Sequence, residues 1–318
     1  MQINALIYKE TPIMSSQSRQ MIPIFYAADD AYAPMLAVSI RSLLDNADKS
    51  CFYRIHILTS TMCENYRKRI AALETENSRI SFDDASARLS HVAHRFAIRD
   101  YYSIATYYRL FIADMFPEYD KALYIDSDTV VPGDISQMYS IDIGSCLVGA
   151  TSESVMLDPV FGKYSEVVLG IKHDRYFNAG ILIMNLAAFR SEKMEKQFLK
   201  LLGERSFPVA QDQDYLNVLC HDRVHYFDRK WNLDPMERFV GIEPCLVHYK
   251  MAMRPWNYDG IIHGDIFWKY AETSGFYEII CEIKKNRTEK DALYDKSVYE
   301  NLSQLALEEI ARASEAQD

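Results

Sequence analysis

The amino-acid sequence predicts an α/β fold: a Rossmann-like, mostly parallel sheet flanked by helices, followed by a small helical region at the C-terminal end. Three observations lead to it. Short runs of β-branched and aromatic residues recur at strand length, segments with apolar residues at helical spacing separate them, and acidic motifs fall just beyond several of the runs. Strands that alternate with helices pair in parallel through right-handed crossovers, and such sheets hold ligands beyond the C-terminal ends of their strands.

Residues 22–26, Ile-Pro-Ile-Phe-Tyr, form the first strand. Leu36, Ile40, Leu43 and Leu44 then recur at helical spacing. In the second strand, 53–58, Arg54 and His56 alternate with Ile55 and Ile57. Residues 63–73 are helical and rich in Arg and Glu, 79–82 are a third strand, and 101–115 carry helical periodicity. Three further strands fall at 121–125, 146–150 and 179–184. Beyond Met251 aromatic residues gather with cations: Trp256, Trp268, Lys269 and Tyr270 are followed by Lys284, Lys285, Arg287 and Lys290. This stretch is expected to pack on the main domain; a weak peripheral contact with an anionic membrane is the alternative. Val298, Leu302, Leu305 and Ile310 mark a closing amphipathic helix, and the acidic tail from Asp291 is expected to be solvated and to fray at its end. The expected organisation is a loose leader over 1–20, a ligand-binding catalytic domain over 21–250 and a C-terminal region over 251–318.

The 318 residues are 49% hydrophobic and 25% charged, the balance of a packed domain rather than a disordered chain. Lys plus Arg number 35 against 45 Asp plus Glu, a net charge of −10, which excludes a nucleic-acid polymer as partner and requires any phosphate to be met locally, through a metal or a few placed cations. The apolar run 181–184, with 186–189 after it, is too short to span a bilayer. The first twenty residues lack a signal-peptide layout, and the six cysteines form no C-x-x-C pair. Together these point to a cytoplasmic protein with reduced thiols.

The chemistry-bearing motifs lie at strand ends. Asp126-Ser-Asp128 directly follows the fourth strand, where two carboxylates can converge on a hard cation and leave coordination sites free for a diphosphate. The same D-x-D spacing recurs at Asp212-Gln-Asp214, so position carries the weight rather than the pattern. Asp29 follows the first strand and suits either a ribose or base contact or a helix N-cap. Phe177-Asn-Ala-Gly180 precedes another apolar run; it is an ordinary turn or a place of close backbone approach, with Asn178 offering both donor and acceptor. Gln211-Asp-Gln-Asp214 is a helix first turn or a sugar-binding cluster. His248 can complete a metal set, and Arg254 can clamp a phosphate.

In sequence order, Ala27-Ala-Asp-Asp30, Ser103 to Arg109, Leu123 to Asp128, Tyr176 to Gly180, Asp212-Gln-Asp214 and His248-Tyr249 with Arg254-Pro-Trp256 resemble glycosyltransferase family 8, above all bacterial lipopolysaccharide galactosyl- and glucosyltransferases. The resemblance covers roughly 21–260. It implies a nucleotide-diphospho-sugar transferase fold of the GT-A type and retaining transfer of galactose or glucose from a UDP-hexose to a saccharide such as a lipopolysaccharide, with Mn²⁺ and with Mg²⁺ as the second candidate. Carried over by position, Asp126, Asp128 and His248 would hold the metal. Ala27, Asp29, Tyr32 and Ser127 would lie on the nucleotide side, while Arg109, Glu153, Asn178 and Asp212 would meet the hexose, with Gln213 beside the anomeric carbon and Arg254 on phosphate. The chain departs from the family pattern in three places: Ala31 stands for an asparagine, Glu153 for an aspartate, and Met251 for a glycine that lets the chain close on the diphosphate.

An amide oxygen is a weak nucleophile, so attack from the face that UDP leaves is favoured over a covalent adduct on Gln213 or Asp212. Two other readings stand beside this one. A sugar nucleotidyltransferase would need a Gly-rich basic loop after the first strand, where Ala27-Ala-Asp-Asp30 stands; a weak or inactive UDP-sugar-binding module is suggested by Met251 and Ala31.

Overall fold

The computed structural model describes residues 19–86 and 104–315. In chain order its elements are β1 (Met21–Ala27), α1 (Ala33–Asn46), β2 (Phe52–Leu58), α2 (Glu64–Ala71), β3 (Ser78–Asp83), a 3-10 segment (Ile104–Phe111), α3 (Ile112–Met115), β4 (Lys121–Ile125), β5 (Thr129–Val130), α4 (Ile135–Tyr139), β6 (Val148–Ala150), α5 (Pro159–Val168), β7 (Ile181–Asn185), α6 (Leu186–Ser191), α7 (Met194–Glu204), α8 (Asp212–Cys220), β8 (Val224–Tyr226), β9 (Val247–His248), α9 (Gly264–Ala271), α10 (Tyr277–Lys285) and α11 (Glu289–Glu315). The leader up to residue 18, Ser103 and the start of the segment read as a helix from 101 lie outside the described residues.

Seven strands form one sheet in the order β3-β2-β1-β4-β7-β6-β8. The left half is parallel, with Met21–Ala27 in register with Phe52–Leu58 and Ile24 opposite Leu123. β1 is apolar throughout because both its faces are covered. Ile22, Ile24 and Tyr26 pack under α1, α9 and α10, whereas Phe25 faces the 3-10 segment and α6 to α8. Pro34 opens α1, where its missing N–H costs nothing.

The right half of the sheet is mixed. β7 runs antiparallel to β4, with Lys121 opposite Asn185 and Ile125 opposite Ile181. β6 is antiparallel to β7, and β8 is parallel to β6. The reversal decides the site. A strand parallel to β4 would carry the turn before it to the far edge of the sheet, but antiparallel β7 begins where β4 ends. Phe177-Asn-Ala-Gly180 therefore sits beside Asp126-Ser-Asp128, and Asp126 N–H donates to the Gly180 carbonyl at 2.8 Å. A second, two-stranded ladder of β5 and β9 sets Thr129 opposite His248.

Two expectations need correction. The segment expected as a helix over 101–115 is mostly a 3-10 turn, 104–111, and only 112–115 is α-helical. Tyr107, Tyr108, Leu110 and Phe111 are all buried, so packing on every side replaces the one-faced pattern of a surface helix. The strand expected at 146–150 is confined to 148–150, because Cys146 N–H closes a turn onto Ile143. The expected closing amphipathic helix is present, and its acids lie mostly on exposed faces. α11 is 27 residues long and buries Val298, Leu302, Ala306 and Ile310, a stripe at four-residue spacing, against Phe161, Tyr164 and Val168 of α5. Tyr258 Oη donates to Asp295 at 2.6 Å and Arg287 pairs with the same carboxylate, which ties the helix start to the loop after β9.

Leu302→Ala is expected to lower unfolding free energy by about 2–3 kcal/mol through the lost transfer term and the cavity left behind; a denaturant midpoint measurement checks it. An unchanged midpoint would mean that α11 is not part of the cooperative unit.

Candidate active site

The ends of β4, β1 and β6, the turn into β7, the first turn of α8 and the loop after β9 converge on a cleft that opens to solvent. One flank is polar and carries Asp29, Arg109, Asp126, Asp128, Glu153, Asn178, Asp212, Gln213, His248 and Arg254; the other is apolar, from Val155, Met156, Phe161, Val209, Met251, Val298 and Leu302.

Asp126 leaves β4 at the sheet edge and Asp128 follows one residue later, while the β5–β9 ladder delivers His248 opposite them. One ligand atom from each of the three lies within 4.8 Å of the others. His248 Nε2 stands 3.2 Å from Asp128 Oδ1 and 3.8 Å from Asp126 Oδ2. The other ring nitrogen, Nδ1, meets Asn232 Oδ1 at 3.1 Å. The Asn232 amide nitrogen is already committed as a donor to Asn178 Oδ1 at 2.8 Å, so its oxygen faces the ring and makes Nδ1 the protonated nitrogen. Nε2 is thereby left with its lone pair toward the carboxylates, the tautomer a metal ligand needs.

Burial pushes the Asp126 carboxyl up, with the charge of Asp128 adding to it against the pull of Arg109. Burial opposes ionisation of Asp128 as well, but the His248 imidazole holds that carboxyl below its ordinary value. Burial works against a charged His248, and the Asp128 carboxylate nonetheless raises it. Two carboxylates and an imidazole held this close suit a divalent cation.

Gly180 makes this packing feasible. A Cβ there would collide with the His248 ring and with Asp126 Oδ2, and would come within 3.1 Å of Asn178 Oδ1. The close-approach reading of Phe177-Asn-Ala-Gly180 is therefore the one the fold adopts.

Arg109 binds the two halves of the site together. Its Nη2 lies 3.2 Å from Asp126 Oδ1, its Nε 2.9 Å from Asp212 Oδ2, and its Nη1 donates to the Ala179 carbonyl. The guanidinium also sits 4.4 Å from the centre of the Tyr124 ring, and Tyr124 Oη donates to Asp126 at 3.0 Å. Burial pushes the Asp212 carboxyl up to about 7 against the opposing pull of Arg109.

The helix-first-turn reading of Gln211-Asp-Gln-Asp214 is the one the fold adopts. Asp212 and Asp214 occupy the first turn of α8, where the helix dipole favours acids, and Asp212 and Gln213 line the cleft. Asp214 turns away and is fixed by Tyr164 and Tyr176, at 2.8 and 2.7 Å. Gln213 Oε1 accepts from Ala179 N–H at 2.8 Å and more weakly from the Asn178 amide at 3.4 Å. Gln211 enters the helix at a φ of 51°, a left-handed conformation unusual for a side chain of its size.

The residues that the family resemblance assigns to the nucleotide sit as a cluster at the end of β1. Asp29 Oδ1 accepts from the N–H groups of Ala31 and Tyr32 at 3.0 and 3.2 Å, so it shapes the turn into α1 while lining the cleft. Ser127 Oγ donates to the Ala27 carbonyl at 3.0 Å, locking the ends of β1 and β4 to each other. Arg254 reaches Tyr32 Oη at 3.0 Å. Met251, where the family pattern has glycine, adopts a φ of 57°. The loop keeps the glycine-like path despite its side chain, at a strain on the order of 1 kcal/mol.

Sequence reasoning missed three residues. Lys250 pairs with Glu153 and, at 3.0 Å, with Asp234; Asn232 orients His248. Lys250 stood in the quoted motif at a position the pattern leaves open. Asn232 and Asp234 follow β8, a half-buried strand of three residues with too little periodicity to read.

Residues 23–260 match the model of the glycosyl transferase family 8. The chain belongs to that family. A putative glycosyltransferase of Haemophilus influenzae is 28% identical over 235 residues, covering 74% of this chain and 70% of that protein. A lipopolysaccharide 1,2-glucosyltransferase of Escherichia coli is 23% identical, covering 75% and 74%. Among solved structures, the galactosyltransferase LgtC in complex with donor and acceptor sugar analogs superposes with a TM-score of 0.67 at 25% identity, covering 79% of this chain and 96% of LgtC. The bifunctional glycosyltransferase WbbM reaches 0.75 at 25% identity, and there the chain spans 87% of its own length but 53% of WbbM. These neighbours make the fold GT-A-like, with the C-terminal helices added to the mixed sheet. No helix among the described residues is long and apolar enough to cross a membrane.

Two outcomes are expected. Gly180→Ala should fold but lose at least about tenfold in Mn²⁺ affinity by calorimetry, since its Cβ displaces Asp126 or His248. Because His248 and Asp126 hold their protons to higher pH than usual, protons compete with the metal, and Mn²⁺ affinity should rise as pH is raised through and above the ordinary imidazole range. A flat profile would exclude the imidazole from the ligand set.

Proposed function

We propose that this protein is a retaining hexosyltransferase that moves glucose or galactose from a UDP-hexose to a saccharide acceptor. The observation that carries the reading is the union, in one cleft, of the Asp126, Asp128 and His248 cluster with the sugar-type cluster of Arg109, Asp212, Asn178 and Glu153. The family membership and the donor and acceptor analogs bound by LgtC support it.

In this reading Asp126, Asp128 and His248 hold Mn²⁺, with Mg²⁺ as the second choice, and a cation there supplies Lewis-acid neutralisation of the diphosphate leaving group. Asp29, Tyr32 and the edge formed by Ala27 and Ser127 face the nucleoside. Arg254 stands beside Tyr32 and offers a bidentate fork to phosphate. Arg109 and Asn178 orient the hexose. Asp212 is the carboxylate nearest the guanidinium and meets hydroxyls of the ring.

Gln213 is poorly suited to a covalent role, because amides are weak nucleophiles and its oxygen is already engaged by Ala179 N–H. Its dipole instead stabilises positive charge at the anomeric carbon. Attack on the face that UDP leaves then gives retention, with the departing phosphate taking the acceptor's proton. The apolar flank of the cleft, opposite the acids, is the acceptor side. A cell-surface glycan such as a lipopolysaccharide is the acceptor class suggested by the Escherichia coli relative.

Asp126→Ala and Asp128→Ala are expected to lower hydrolysis and transfer by at least about 100-fold, more than outer-shell changes typically do. Full activity in EDTA would overturn the metal assignment. Tight Mn²⁺-dependent UDP binding with no turnover of any UDP-hexose would make the protein a binding module rather than an enzyme.

A further inference from the structure

Glu153 and Lys250 share a wall of the cleft, and the hydrogen-bonding capacity of each is nearly spent. Glu153 Oε1 takes the Lys250 ammonium and the N–H of Val155 at 3.1 Å, with the Ser154 hydroxyl at 3.4 Å; Oε2 takes the Asn178 amide at 2.6 Å. An ionised carboxylate has about four lone-pair positions, two on each oxygen, so one position on Oε2 is left. The Lys250 ammonium has three N–H bonds. One goes to Glu153 and one to Asp234 Oδ1 at 3.0 Å, and one is left. Both side chains are nearly enclosed, at 11% and 4% exposure for Lys250 and Glu153, so what remains of each faces the cleft rather than bulk water.

We propose that Lys250 and Glu153 form a reader for one hydroxyl of the donor hexose, which donates to Glu153 Oε2 and accepts from Lys250 Nζ. The proposal rests on the UDP-hexose reading above and deepens it by naming a specificity-determining residue. One remaining acceptor position and one remaining donor hydrogen match a single alcohol, which is both donor and acceptor. A sugar with that hydroxyl missing or inverted leaves both groups buried and unpaired, the condition under which hydrogen-bonding sites discriminate most strongly. Asp234, itself 2% exposed and 3.6 Å from Arg229, fixes Lys250 from behind, so the ammonium cannot turn aside to solvate itself.

Calorimetric binding of UDP and of the 2-, 3-, 4- and 6-deoxy UDP-hexoses, with Mn²⁺, tests this. The wild type is expected to reject one deoxy analogue by at least about 100-fold relative to the other three. In Lys250→Met that preference should fall to within about twofold, with UDP affinity changed less than about twofold. Lys250→Arg keeps the charge against Glu153 and Asp234 and so keeps the fold if the methionine variant does not; it moves the N–H and should also erase the preference. Equal binding of all four analogues by the wild type, or the same preference in a folded Lys250 variant, would overturn the reader. A parallel loss of UDP and UDP-hexose affinity in the variants would mark Lys250 as structural only and overturn it too. Failure of the wild type to bind UDP would remove the donor reading, and the reader with it.

Discussion

The acids at the end of β4 and the start of α8 depend on one buried cation. Arg109 is 4% exposed and is shared by Asp126, Asp212 and the Ala179 carbonyl. A carboxylate withdrawn from water without such a partner neutralises itself by taking a proton. The guanidinium suits the task because its rigid fork can serve three directions at once and it stays charged at any relevant pH. It comes from a 3-10 turn packed on all sides, and its Nε also donates to the Thr106 carbonyl at 2.8 Å, which fixes the side chain independently of the acids. The acids can therefore crowd at the sheet edge only because the cation among them is preorganised.

A second constraint is direction. β7 is the one central strand that runs against β4, and this sense of travel brings the turn before it to the ligand edge. Close approach then falls to Gly180, while Asn178 becomes a hub that receives Asn232, gives to Glu153 and touches Gln213. Asn178 thus links the side of His248 to that of Glu153 and Gln213, beside the bridge that Arg109 makes between Asp126 and Asp212. Such a connected polar network is stable only when each member is satisfied, and it transmits a displacement at one end to the other.

How much of this was legible in the sequence follows from the range of the interactions involved. β4 and Asp126-Ser-Asp128 were plain because a strand end and its motif are adjacent in the chain. Phe177-Asn-Ala-Gly180 was visible as a turn, but its role needed the direction of β7, which periodicity does not encode. Arg109 was reachable through the family pattern alone, because its three partners lie 17, 70 and 103 residues away. Lys250 was hidden in an open position of the motif, and Asn232 and Asp234 in a loop without pattern. The closing helix was legible because its apolar stripe lies at helical spacing along the chain: Val298, Leu302 and Ile310 are buried as that spacing requires, with Ala306 added to the stripe, and the acids stay on the other faces.

The family match ends at residue 260, and α11 begins at Glu289. Val298 and Leu302, two of the side chains that wall the apolar flank, therefore come from sequence outside the shared catalytic frame. At 1.5 Å per residue the helix is about 40 Å long, and only about two of its turns reach the cleft. Substitutions along one helical stripe can therefore reshape a wall of the cleft without touching Asp126, Asp128, His248 or Arg109. The shape of that wall and the polar cluster facing it are set by different stretches of polypeptide.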